Sequence, residues 1–545
     1  MASRQSENST RSSESIHTTQ TGKETEFVSY HQDDLHPDNA HVNSPTLFDA
    51  PAVCLVGSEA NFQITEQRLP GSGASLSDSG LRQTSIPLPV LVFQENELLV
   101  DCYSHRLSRI LSIYNGSFSP FRANALSSWT RSPLLFPLFK FLAGAYQLNL
   151  TGERKIDLYV NEARINTLNQ LSYNLSEFDS ISCVKKIELI LVIIIFGLSS
   201  SWYDLDDFGL THYNAAARLL QDLNVKETKV PVQNCQYFEE CLVYWWMILS
   251  FVCDPSQQII EPPRSLVAMC PMTRHTIPHP LTGVSSQVQY LLGKVGYLVF
   301  AQRRRILARP MTRTEDLLQS LANIEEARSL ESELQNMDLP SVGSIMDPKD
   351  PDTPVADLLN MANAYRLCGL LLLYHAFPDL LRTKLASGAN QADSDHCSID
   401  TGSMQEYSVS LALHALQILQ DNNNNSGTQT IEAILLVIIS GELLCVRPRG
   451  TKNQGPGLHL PQEDMVGNAN SQEQFGGENV QLRDSVQEGR SAVSARFERV
   501  QSVLPFKTID RMRKLVLKTW DLMDQGNDTF WVDVMIESRW RFLMI

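Results

Sequence analysis

From Pro89 onward, apolar residues recur at helical spacing along the chain, and turn residues separate one run from the next. Leu98, Leu99, Cys102, Tyr103, Leu107 and Ile110 share one face, which ends at Asn115, Gly116, Ser119 and Pro120. Ser132-Pro133 opens a second helix carrying Leu134, Leu135, Leu138, Phe141, Leu142 and Tyr146. Further helices are expected over 156–171, 183–200, 210–223 and 237–253. The second and the last of these are apolar on every side, the pattern of central helices.

The middle of the chain carries the clearest punctuation. Pro278 and Pro280 mark a turn, Ser285 or Ser286 supplies an N-cap, and Val288, Leu291, Leu292, Val295 and Leu298 form a buried stripe. Arg303, Arg304 and Arg305 then finish the helix, where positive charge complements the backbone dipole. Thr312 and Glu315 read as a capping box for a helix whose expected buried stripe is Leu317, Leu318, Leu321, Ile324, Leu330 and Leu334. A Pro/Asp loop over 347–354 precedes a helix over 355–385, interrupted at Phe377-Pro378. Helices over 408–419, 431–445, 494–523 and 531–545 complete the chain, and no strand periodicity competes with them.

Two stretches lack this pattern. Residues 1–88 are dominated by Ser, Thr, Gln, Asn, Asp and Gly, too polar to offset the entropy of ordering, and are expected to be disordered. Residues 449–488, with glycines set among Gln and Asn, read as a flexible insertion. The expected fold is therefore all-α, a large multi-helix domain over 89–545 with a single extended core.

The net charge of −16 makes the average surface repel phosphate, so any nucleic-acid contact would need a local basic module. The ten cysteines form no C-x-x-C pair and several lie in apolar runs, as reduced core thiols do. The polar N-terminus has no secretory signal pattern, and 189–198, the most apolar run, is far shorter than the roughly 20 residues of a membrane span. No membrane association is expected.

Candidate chemistry is sparse. Cys270, His275 and His279 could supply three zinc ligands, but a fourth is missing and the spacing fits no standard site, so a turn with incidental histidines is the better reading. Asp204, Asp206 and Asp207 precede a helix whose dipole favours them there. Gly293-Lys294 lacks the flanking residues of a phosphate-binding loop, and neither a G-x-S-x-G elbow nor an H-E-x-x-H helix is present. Two features stand out as site candidates. Arg303, Arg304 and Arg305 could form a basic surface or nuclear-import signal, and Tyr244, Trp245 and Trp246 could line a ligand pocket. No catalytic, DNA-binding or metal residue is assigned.

Tyr103-Ser104-His105, Ser119-Pro120-Phe121-Arg122, His212-Tyr213-Asn214-Ala215-Ala216, the HPLTG of 279–283, Gln302-Arg303-Arg304, Tyr365-Arg366 and Phe377-Pro378-Asp379-Leu380-Leu381 follow one another along the chain, then Ser494-Ala495-Arg496-Phe497 and Trp531-Val532-Asp533-Val534-Met535. Taken in this order, these phrases resemble the regulatory (middle homology) domain of fungal-specific transcription factors of the zinc-cluster type. Members of that family usually begin with six cysteines in a zinc cluster, whereas only Cys54 precedes residue 100 here, so zinc is expected only if such a cluster precedes the chain. The resemblance implies a non-enzymatic nuclear regulator of a metabolic or secondary-metabolite gene cluster. It implies partners in the transcription machinery or another DNA-binding regulator, homo- or heterodimer formation and a metabolite effector. The competing reading is a small-molecule-binding or -processing α-helical enzyme on the same fold.

Overall fold

The computed structural model describes Leu99, 101–116, Ser119, Phe121, 132–226, 232–254, 257–262, 276–308, 313–388, 401–444, 470–527 and 529–543. Residues 1–88 lie outside the described residues. The described chain is helical throughout, its only extended pairings being isolated bridges between Thr276 and Ile345 and between His279 and Gly283.

A π-turn at Tyr103–Leu107 continues into a short helical turn at Ser108–Ile110. Then come α1 (Leu135–Thr151), α2 (Arg154–Ser176), α3 (Cys183–Ser199), α4 (Leu210–Lys226) and α5 (Val232–Ser250). The middle of the chain forms α6 (Ser286–Ala308), α7 (Thr314–Gln335), α8 (Val355–Ala376) and α9 (Pro378–Gly388). The rest forms α10 (Thr401–Gln420), α11 (Ala433–Ser440), α12 (Asn470–Val503), α13 (Lys507–Asp524) and α14 (Trp531–Glu537).

Consecutive helices pack in pairs, α1 on α2, α3 on α4 and α5 on α6, while α8 lies at the centre against α6, α10 and α11. Burial explains the arrangement. All of 189–196 in α3 and all of 433–440 in α11 are buried, so neither stretch has a face to offer water. Every described helix feeds one continuous apolar core. No helix among the described residues is long and apolar enough to cross a membrane.

Caps set several boundaries as the pattern predicts. Ser132 Oγ accepts the Leu134 and Leu135 amides before α1, and Ser182 Oγ accepts the Lys185 amide before α3. The bulky rings need close helix approach: a Cβ on Gly293 of α6 would stand 2.5 Å from the Trp246 ring, so only glycine lets α6 meet α5 there.

Four expectations change. The helix expected over 494–523 is two helices, because Pro505 cannot continue α12 and the chain re-enters as α13 at Lys507. The helix expected over 531–545 ends at Glu537. Residues 470–488, read as part of a flexible insertion, form the first half of α12, which docks through Val486, Val493, Phe497 and Val500. The remaining change concerns α7. Thr312 lies outside the described residues, and the observed cap is Asp316 Oδ2 accepting the Arg313 amide at 3.1 Å. Moreover Leu317, Leu318 and Leu321 are exposed, because the buried stripe of α7 is Asn323, Ala327, Leu330 and Leu334 on the opposite side.

Candidate functional site

The turn at 276–285 is built around one imidazole. His279 Nδ1 accepts the amides of Leu281 and Thr282 at 3.1 and 3.2 Å, and Nε2 donates to the Tyr237 carbonyl at 3.2 Å. Both ring nitrogens are thus committed, and burial holds the imidazole neutral, with its pKa pushed down to about 3. Far from incidental, His279 determines the turn, while Cys270 and His275 lie outside the described residues. Thr282 donates to Glu240 Oε2 at 3.0 Å, and burial raises the Glu240 carboxyl to about 7, a shift that hydrogen bonds from Thr282 and Gln236 reduce. The turn also braces the N-terminal segment: the Ile113 amide donates to the Pro280 carbonyl and the Tyr114 hydroxyl to the Pro278 carbonyl, each at 2.7 Å. Among the described residues no group of three or more His, Cys, Asp or Glu side chains is placed to hold a metal ion.

The three arginines at the end of α6 are engaged within the fold. Arg303 clasps the Asp533 carboxylate of α14 through two nitrogens, Nε at 2.8 Å, and Arg304 pairs with Asp254 at 2.7 Å. Arg305 donates to Gln302 and, at 3.0 Å, to Ser320 of α7. Other polar residues also bind parts of the fold together. Arg496 of α12 and Glu432 form a fully buried ion pair at 2.5 Å, and His375 contacts Glu442 at 2.7 Å. The Tyr365 hydroxyl donates to the Ile431 carbonyl at 2.7 Å, and the Tyr213 hydroxyl to the Ile260 carbonyl at 2.6 Å. The acidic run shapes a turn, with Asp204 accepting the Asp206 amide and Asp207 the Gly209 amide.

The structure separates the three aromatic candidates. Trp245 is buried edge-on to Tyr213, with ring centres 5.4 Å apart, and Trp246 stacks on Tyr290 at 5.3 Å. Only Tyr244 faces a cavity, an apolar space of about 50 Å³ shared with Ile194, Leu198, Tyr237 and Cys241. That volume is far below the roughly 300 Å³ at which ligand pockets begin.

A cleft of ligand size lies elsewhere. About 670 Å³ of space opens between the segment 109–115, the loop 350–352, the turn 424–430 and the end of α12. Its wall carries the guanidinium groups of Arg109 and Arg499, the carboxylates of Asp350 and Asp352, and the amides of Asn424 and Asn425. Its floor is rigid. Asp350 Oδ2 accepts the Asn115 amide at 2.7 Å, the Gly427 amide donates to Thr353 Oγ1 at 3.0 Å, and Ser426 Oγ caps the turn that follows. Arg499 donates to the Asn424 side chain, and Asn115 Oδ1 is buried at the edge of the cleft without a hydrogen-bond partner. Two cations, two carboxylates and several amides can hold a polar molecule that bears both acidic and donor groups. Reading along the chain misses this cleft, because its four segments are separated by up to hundreds of residues.

Among the described residues, Arg303, Arg304 and Arg496 tie helices to other elements, and a polar cleft opens between four segments of the chain. The family model of the fungal specific transcription factor domain matches residues 97–454 and 475–545. The chain belongs to this family and is a transcriptional regulator; the family is one of transcription factors, not of enzymes. No zinc-cluster domain is matched in the chain. The residues between the matched blocks fall within the Gly/Asn/Gln-rich stretch ahead of and into the start of α12. No curated protein and no solved structure gives a match.

Proposed function

We propose that this regulator acts in the nucleus on a set of metabolic or secondary-metabolite genes, and that a polar metabolite seated in the cleft between Arg109 and Arg499 sets its activity. Family membership supports the nuclear, transcriptional part of this reading. The observation that carries the effector part is the cleft, about 670 Å³ in volume, within the roughly 300–1,000 Å³ range of small-molecule sites and walled by opposed charges. A ligand there would touch the segment before α1, the loop before α8, the turn before α11 and the end of α12. Its binding energy would therefore bear on how those elements meet. Contact with the genes runs through the transcription machinery or a second, DNA-binding regulator, in keeping with an acidic chain of net charge −16.

RNA sequencing of a fungal strain with the gene deleted, and of the same strain with it restored, tests the reading. The expected result is a coordinated change in a limited group of metabolic transcripts that restoration reverses. An unchanged transcript profile would refute it.

A further inference from the structure

The polar cleft and the small apolar cavity share their walls. Arg109, Ser112 and Tyr114 border the cleft, while Ile110 and Leu111, from the same segment, line the cavity of about 50 Å³. Gln429 likewise borders the cleft, Ile431 the cavity and Thr430 both, and where α12 ends Ser502 and Val503 border the one and Leu504 the other. A single layer of chain therefore separates a space of ligand size from an apolar void.

Protein interiors are close-packed, and side chains beside a void lack partner atoms on that side. The stretch 109–112 consequently has room to yield, whereas its far end is held. The Asn115 amide donates to Asp350 Oδ2 at 2.7 Å, and a Cβ on Gly116 would stand 1.6 Å from the Pro348 carbonyl oxygen, so backbone meets backbone there. Between the yielding stretch and the held end stand Ile113 and Tyr114. These are the residues that donate to the Pro280 and Pro278 carbonyls, each at 2.7 Å, in the His279 turn that opens into α6. A displacement of 109–112 thus has a direct route to the head of α6.

We propose that segment 109–115 is a strap that passes occupancy of the cleft on to α6. A ligand presses the strap back, Ile110 and Leu111 enter the void, and Ile113 and Tyr114 carry the shift to the 278–280 turn. This rests on the reading of the cleft as an effector site. The void is the condition for the movement, because a wall packed on both sides would not give. Arg109 rides on the strap, so its contact with the ligand differs between the two positions, which supplies the differential affinity that a population shift requires.

Leu198 of α3 lines the void and is only half-buried, so a larger ring can be seated there. Leu198→Phe fills the void from behind the strap, and Leu198→Ala enlarges it. Hydrogen exchange followed by mass spectrometry on the full chain tests the movement. Relative to peptides of α11 in the same molecule, exchange over 109–115 should slow at least about 3-fold in L198F and quicken at least about 3-fold in L198A. Transcript profiling tests the consequence. With proteins at equal abundance, an L198F strain should hold the dependent transcripts at the level set by R109A/R499A, on every carbon and nitrogen source, while the wild type shifts them. Exchange over 109–115 that is the same in both variants as in the wild type would overturn the proposal. An L198F strain that responds like the wild type while R109A/R499A does not would overturn the strap and leave the effector site standing. If R109A/R499A also responds like the wild type, the effector site falls and the strap with it.

Discussion

A neutral imidazole at the centre of a turn behaves unlike a surface histidine. His279 can keep its three hydrogen bonds only while Nδ1 carries no proton, since that nitrogen faces two N–H donors. The unfolded chain protonates near the ordinary histidine value of about 6.5 and the folded one only near about 3. The native state therefore binds fewer protons than the unfolded one within that window, and the contribution of His279 is complete above about pH 6.5 and lost as pH falls toward 3. His279→Ala should destabilise the domain by about 2–4 kcal/mol at pH 7 in denaturant titration, and the loss should shrink in more acidic buffer. Glu240 has the opposite sign. Its folded pKa, raised to about 7, makes the native state bind the extra proton, so stability falls as pH rises from about 4.5 through 7. Glu240→Gln keeps acceptance from Thr282 and removes the charge. Melting temperatures measured from pH 5 to 8 should then diverge, the wild type falling relative to the variant; parallel curves would contradict the assignment.

At the scale of elements, the residues that make this chain look like its family are largely those that bind one helix to another. Arg303 joins α6 to α14, Arg496 of α12 joins the segment before α11, and Tyr213 and Asn214 of α4 hold the loop stretch 258–260. The buried Glu432–Arg496 pair allows a direct check. Arg496→Met alone strands a carboxylate that burial already pushes toward protonation, and should cost about 3–5 kcal/mol, whereas E432L/R496M together should recover most of that loss. Equal losses in the single and double variants would show that the pair matters for shape and not for charge. Helix positions were mostly legible from periodicity, because α3, α5, α8 and α11 bury nearly every side and their runs of Ile, Leu and Trp permit nothing else. The failures have physical causes. Pro505 lies inside a pattern that spans it, the glycines of 470–488 mask a helix docked by residues farther on, and Leu317, Leu318 and Leu321 lie on the side of α7 away from the core. Periodicity identifies an apolar stripe but not the neighbour it meets.

On the scale of the whole molecule, the sequence exposed the family and concealed the site. The family phrases survive because they are local, each carrying a lock and its surrounding helix face. The cleft is not local: Arg109 and Arg499 stand 390 positions apart in sequence, and nothing in either neighbourhood points to the other. Chain order instead favoured Tyr244, Trp245 and Trp246, whose consecutive rings diverge around the helix into separate parts of the core. A regulator built this way has a rigid apolar interior and concentrates its adaptable chemistry where chain segments of different origin meet. The central claim is that occupancy of the cleft sets transcriptional output. Its most direct test is RNA sequencing of a deletion strain complemented with R109A/R499A, alongside one complemented with the wild type, with both proteins at equal abundance. The account predicts that the double variant leaves the dependent transcripts fixed at one level across growth on different carbon and nitrogen sources, while the wild type shifts them. A variant whose transcript responses match the wild type under every condition would contradict it.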